Sequence, residues 1–193
     1  SHELPASSIT ETDTWQPGEV GAQAVLKAFL DDSCSRYTHG RDLPAEPLTS
    51  KLSPHLHFGE ISPVQIFHAV QERLSDNPSA EWHNGANTFL RELGWREFNT
   101  HLLYHYPELP SHAFNPTFQD FPWKDDSTLL EAWQQGQTGY PLVDAGMRQL
   151  KATGWMHNRV RMVVASFLTK DLLIPWQRGA EWFWDHLVDA DLA

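Results

Sequence analysis

Apolar side chains recur every three or four residues along most of the chain, and no stretch alternates apolar with polar residues as a half-buried strand does. A chain patterned this way hides its apolar surface between packed helices, so the predicted fold class is all-α and multi-helical. Ala22, Val25, Leu26, Phe29 and Leu30 predict a first amphipathic helix ending near Asp31. Residues 33–53 hold Gly40, Pro44 and Pro47 with no apolar period, and read as a long loop with several hydroxyls. Ser62, Pro63 and Gln65 supply an N-cap, a proline at the first helical position and a capping-box partner, which predicts a helix over 63–74, ended by Asp76, Asn77 and Pro78. The longest helix is predicted over 86–106, stopped by Pro107. After a Pro-rich, aromatic stretch at 107–123, short helices are expected at 127–135 and 141–152, the latter with Asp144 and Arg148 as an i,i+4 pair. A helix over 156–170 would turn Val160, Val163, Val164, Phe167 and Leu168 inward, and a last one runs over 180–187 after the break at Pro175. No Gly-rich strand-to-helix turn is present, so a Rossmann unit is not expected.

Residues 1–14 are polar and read as a tail or linker remnant, with one domain expected over 15–193. The 193 residues, 40% of them hydrophobic, suffice for a real core. The longest apolar stretches, such as 162–168, reach about a third of the roughly 20 residues a membrane span requires. With no basic-then-apolar leader, the expectation is a soluble, cytoplasmic protein without a membrane partner. Cys34 is the single cysteine, so an internal disulfide is excluded and a reducing compartment fits. Lys and Arg number 14 against 25 Asp and Glu, a net charge of −11 that opposes broad attraction to polyanions. A nucleic-acid partner would need a local basic patch. Nine tryptophans are an expensive way to build an ordinary core, and they call for a further explanation.

Two helices carry a second, polar stripe. Glu92, Trp95, Arg96 and Asn99 stand at i, i+3, i+4 and i+7, and Trp155, Asn158, Arg161 and Met162 stand at i, i+3, i+6 and i+7. Either stripe can be a solvated face with surface ion pairs. A tryptophan on both favours a planar, hydrogen-bonding, anionic ligand, and a flavin or a nucleobase would fit. Thr49, Ser50 and Ser53 offer hydroxyls of the sort that hold phosphate, although such clusters are also common as helix caps. His55 and His57 come without an HExxH or Cys/His framework, so no metal site is expected. No nucleophile elbow or P-loop is present, and Cys34 has no base near it in sequence.

Five runs carry a resemblance to a known family: Thr-Ser-Lys-Leu-Ser-Pro-His-Leu-His-Phe-Gly-Glu-Ile-Ser-Pro at 49–63, Phe-Leu-Arg-Glu-Leu-Gly-Trp-Arg-Glu-Phe at 89–98, Gly-Tyr-Pro-Leu-Val-Asp-Ala-Gly-Met-Arg at 139–148, Gly-Trp-Met-His-Asn-Arg-Val-Arg-Met at 154–162, and Asp-Ala-Asp-Leu-Ala at 189–193. They closely resemble the photolyase/cryptochrome family, in that family's order, over residues 15–193. The resemblance implies the helical FAD-binding catalytic domain. It implies FAD contacts for Tyr37, Thr49, Ser50, Lys51, Leu52, Ser53, Phe89, Glu92, Arg96, Asn158, Arg161, Asp189 and Asp191. Lys51 departs from many relatives, which carry Arg there, and an ammonium lacks the bidentate fork of a guanidinium. Arg161 and Asp189 would pair beside the isoalloxazine, and Glu92 would also reach the substrate bases.

By the same resemblance, Trp95 and Trp155 are the aromatic walls around a flipped-out pyrimidine dimer, with Met162 beside it. Arg41 and Arg159 contact DNA phosphates, while Trp123 and Trp176 belong to an electron-transfer chain. The implied activity is light-dependent repair of cyclobutane pyrimidine dimers by electron transfer from excited FADH⁻, with damaged DNA as partner. The alternative is a cryptochrome-type blue-light receptor without repair. Relatives that repair (6-4) photoproducts carry histidines where Asn158 and Met162 stand, and plant-type cryptochromes usually have Val in place of Met162, so dimer repair is favoured. The 193 residues match neither the family's α/β antenna domain nor the segment with its flavin-proximal tryptophan. A monomer with no antenna pigment, weak FAD retention and little activity of its own is therefore expected of them.

Overall fold

The computed structural model describes residues 15–76 and 79–192, and every regular element among them is helical. The predicted tail at 1–14, the break at Asn77 and Pro78, and Ala193 lie outside the described residues. The chain divides into two compact units: Gln16–Pro110 with Asp191 and Leu192, and Ser111–Ala190 with Trp15.

In the first unit, α1 (Glu19–Ala28) buries Ala22 and Leu26, as its apolar spacing requires. The chain does not stop near Asp31. It continues through a π turn at Phe29–Ser33 and a 3-10 turn at Cys34–Arg36 into α2 (Tyr37–Gly40). Phe29 and Leu30 are both buried, as the i+7 and i+8 members of the stripe that Ala22 opens. The loop expected over 33–53 thus contains α2, and α3 (Ser53–His57) begins at its end. Helices of one turn are too short to show a 3.6-residue period, so nothing in the pattern marked them.

The predicted capping box of α4 (Pro63–Asp76) forms in both directions: Gln65 N donates to Ser62 Oγ at 3.1 Å, and Ser62 N donates to Gln65 Oε1 at 2.7 Å. Helix α5 (Ala80–His105) starts earlier than the expected residue 86, because Ser79 caps it by accepting from Trp82 N at 3.3 Å. Trp82 is buried and its indole N–H donates to the Leu30 carbonyl at 3.2 Å, so one tryptophan is explained as a satisfied core residue. Gly85 lets α5 lie directly on the 34–36 turn. A Cβ there would sit 1.7 Å from the Cys34 carbonyl oxygen.

In the second unit, Asp126 caps α6 (Ser127–Gln135) through Leu129 N at 3.0 Å. Helix α7 (Pro141–Thr153) follows with Pro141 at its first position. Asp144 forms the expected i,i+4 pair with Arg148 at 4.0 Å and also anchors the preceding turn, accepting from Thr138 N, Thr138 Oγ1 and Gly139 N at 2.8, 2.6 and 3.0 Å. Helix α8 (Asn158–Ser166) starts later than the expected residue 156, since His157 Nδ1 accepts from Arg159 N and caps it. Trp155 therefore lies outside the helix with which its spacing grouped it. A π turn at Phe167–Asp171 leads on to α9 (Trp176–His186), which begins four residues before the predicted 180.

Val160, Val164, Phe167 and Leu168 are buried, but Val163, expected inward, is 38% exposed. It stands at the flank of the stripe that the other four define. Gly146 of α7 receives α8, for a Cβ there would meet Val160 Cγ1 at 2.4 Å. Trp133 is fully buried at the centre of this core and donates to the Val164 carbonyl at 3.0 Å.

Candidate functional site

Within the first unit, the face of α5 away from the core presents Glu92, Trp95 and Arg96. Arg41, from the end of α2, donates through Nη1 to Glu92 Oε1 in a short ion pair and stands 3.8 Å from Asp42. Burial works against the Arg41 charge, and the Glu92 carboxylate outweighs it, holding the guanidinium above its ordinary range. Arg96 instead pairs with its neighbour Glu97 at 2.9 Å, so the Glu92–Arg96 spacing does not become a contact. Trp95 is 59% exposed and touches only the edge of Phe98 among described rings, at 5.6 Å.

Tyr37 and Phe89 belong to the core of this unit. Both are buried, and they close a cluster with Phe29 at centroid distances of 4.6–5.6 Å. In the 49–53 run, Leu52 is buried, its amide reaches Ser50 Oγ at 3.4 Å, and Ser53 opens α3. Lys51 adopts φ 52°, a left-handed conformation that disfavours side-chain-bearing residues. The run is therefore a sharply turned entry to a helix, with Thr49, Ser50 and Lys51 half-buried. Asp191 stands 3.9 Å from His57 Nδ1. A hollow of about 610 Å³ lies against the same unit, lined by Thr38, Asn84, Asn87, Thr88, Leu90 and Arg91, none of them a predicted site residue.

Within the second unit, Arg161 is held at two points: Nη2 donates to Asp189 Oδ2 at 2.9 Å and Nε to the Met156 carbonyl at 2.8 Å. The Asp189 side chain is 2% exposed, and its other oxygen, Oδ1, has no hydrogen-bond partner among the described residues. A buried acceptor left so is costly unless a bound group donates to it. Asn158 is exposed at the start of α8. Met162 is 55% exposed, with Arg159 Nη1 at 3.6 Å from its sulfur. Trp155 is half-buried, with its amide on Thr153 Oγ1 at 3.2 Å and its ring edge-on to His157 at 6.3 Å.

Trp123 is packed on Phe121 at 4.5 Å, and the next residue's amide, of Lys124, bonds to the Leu173 carbonyl at 2.8 Å, three residues before Trp176. The Arg41–Glu92 pair and the open oxygen of Asp189 were invisible in the local pattern, for the first joins residues 51 apart and the second depends on burial. Among the described residues no group of three or more His, Cys, Asp and Glu could hold a metal ion, and no helix is long and apolar enough to cross a membrane.

Residues 89–193 match the family described as the FAD binding domain of DNA photolyase. A deoxyribodipyrimidine photo-lyase of Agrobacterium fabrum is 53% identical over 182 residues, which are 94% of this chain and 37% of that protein. Cryptochrome-2 of Arabidopsis thaliana is 40% identical over 193 residues, 98% of this chain and 31% of that protein. The crystal structure of a bacterial class III photolyase from Agrobacterium tumefaciens superposes with a TM-score of 0.91 at 51% identity, covering 97% of this chain and 39% of the other. The chain thus spans less than half the length of the relatives it matches.

Proposed function

From the premise that the chain belongs to the family of the FAD-binding domain of DNA photolyases, we propose that its protein repairs cyclobutane pyrimidine dimers in DNA in a light-dependent reaction. FAD is the cofactor of this family. The residues suit it: Asp189 Oδ1 is a buried acceptor in want of a donor, and the isoalloxazine carries an imide N–H that would supply one. When bound, reduced and excited by light, FAD supplies the electron that splits the dimer.

The chain's own residues bind and orient. Asp189 and the Met156 carbonyl hold the Arg161 guanidinium in one orientation, so its positive charge faces an anionic ligand without first reorganising. In the first unit, the Glu92 carboxylate pairs with Arg41 and keeps acceptor capacity for N–H groups of a pyrimidine. The single observation that carries the substrate assignment is Trp95, an indole left 59% exposed beside that ion pair. Stacking of a flipped base on such a ring is worth about 1–3 kcal/mol, comparable to the few kcal/mol needed to extrude a damaged base. Trp155 and Met162 are assigned to the substrate, Tyr37, Phe89, Arg96, Asn158, Asp191 and the 49–53 run to the cofactor, and Trp123 and Trp176 to its photoreduction.

The test is incubation of the full-length protein, loaded with reduced FAD, with dimer-containing DNA under blue light. Dimers are expected to disappear in light and persist in darkness. A light-induced change in flavin absorbance with the dimer content unchanged would instead establish the receptor reading.

A further inference from the structure

Helix α5 runs on well past the residues used above, and its last two turns carry His101 and His105 at i and i+4 on one exposed face. Their imidazole centroids are 4.4 Å apart with the ring planes at 65°. A transition-metal ion binds imidazole nitrogen at about 2.0–2.1 Å, so two such ligands on one ion have nitrogens roughly 3 Å apart. A centroid separation of 4.4 Å puts that nitrogen spacing within the range of side-chain rotation, because i,i+4 positions lie one above the other on a helix. Neither ring is committed to a hydrogen bond or an ion pair among the described residues. Glu97, one turn before His101, is engaged by Arg96 at 2.9 Å, so the protein contributes two ligands and water the remainder. The pair also sits at the C-terminal end of the helix, where unsatisfied carbonyls favour a cation, on a chain of net charge −11.

We infer that His101 and His105 form a two-point chelating site for a divalent transition-metal ion of the imidazole-preferring class, with Cu²⁺ held more tightly than Ni²⁺ or Zn²⁺. The site is separate from the cofactor and substrate assignments and stands or falls without them. The test is titration of the full, metal-stripped chain with Cu²⁺ at neutral pH, followed by electron paramagnetic resonance. One equivalent is expected to bind first, with hyperfine structure from two imidazole nitrogens. His101→Ala and His105→Ala should each weaken that first equivalent by tenfold or more, and the double substitution should weaken it little further, because either single change destroys the chelate. Both side chains are exposed, so the far-ultraviolet circular dichroism of the variants should match that of the parent. A one-nitrogen spectrum, or a first equivalent that binds equally well to the double variant, would overturn the inference.

Discussion

Asp144 shows how much can rest on one side chain. Burial opposes its charge, yet Thr138 Oγ1, the amides of Thr138 and Gly139, and Arg148 together hold its carboxyl below the ordinary carboxylate range. A carboxylate whose folded pKa is depressed stabilises the protein above its unfolded pKa, and that contribution is lost as pH falls through the folded value. Asp144→Asn should therefore cost about 2 kcal/mol near neutrality, read by urea denaturation. The difference between the two proteins should close as the pH falls below about 4, where the native carboxyl also becomes neutral. A gap independent of pH would mean that shape, not charge, matters at this position. The sequence pattern marked Asp144 as half of an i,i+4 pair with Arg148, because that spacing is readable along a helix while the backward reach to Thr138 and Gly139 is not. The tryptophans divide in the same way. Trp82 and Trp133 are core residues with satisfied N–H groups, and Trp95 stays 59% open to solvent.

At the scale of elements, α5 offers a contrast between two glycines in one helix. A methyl at Gly85 would collide with the Cys34 carbonyl at 1.7 Å, whereas a methyl at Gly94 would meet nothing within 4 Å. Gly85→Ala should thus lower stability by about 3 kcal/mol or prevent folding, since the obstacle is backbone and cannot rotate aside. Gly94→Ala should raise it by up to about 1 kcal/mol, because alanine costs less backbone entropy in a helix. Chemical denaturation of both variants checks this, and equal effects would refute the close approach of α5 to the 34–36 turn. The main helices were legible from apolar period and capping chemistry, as the reciprocal Ser62–Gln65 bonds show. Their ends were less so. The π turns at Phe29–Ser33 and Phe167–Asp171 follow directly on α1 and α8, and no propensity announces them.

For the 193 residues taken together, the net charge of −11 sets the expectation for how this part of the protein meets DNA. On the proposed function only a few cations, Arg41 and Arg159 first among them, meet the phosphates, and Arg41 is already paired with Glu92. The affinity of the full-length protein for dimer-containing DNA should then fall with salt on a log–log slope of about −2 or shallower. A much steeper slope, measured by titration across salt concentrations, would require a basic surface supplied elsewhere. The helical class, the principal helices and the membership of a flavin-binding family were readable along the chain, because period, caps and motifs are local properties of covalently adjacent residues. The engagement of Arg41 by Glu92, the hold of the Met156 carbonyl on Arg161 and the open oxygen of Asp189 were not. Each depends on which groups the packed core excludes from water and which distant partner it brings within bonding range, and only the folded chain decides that.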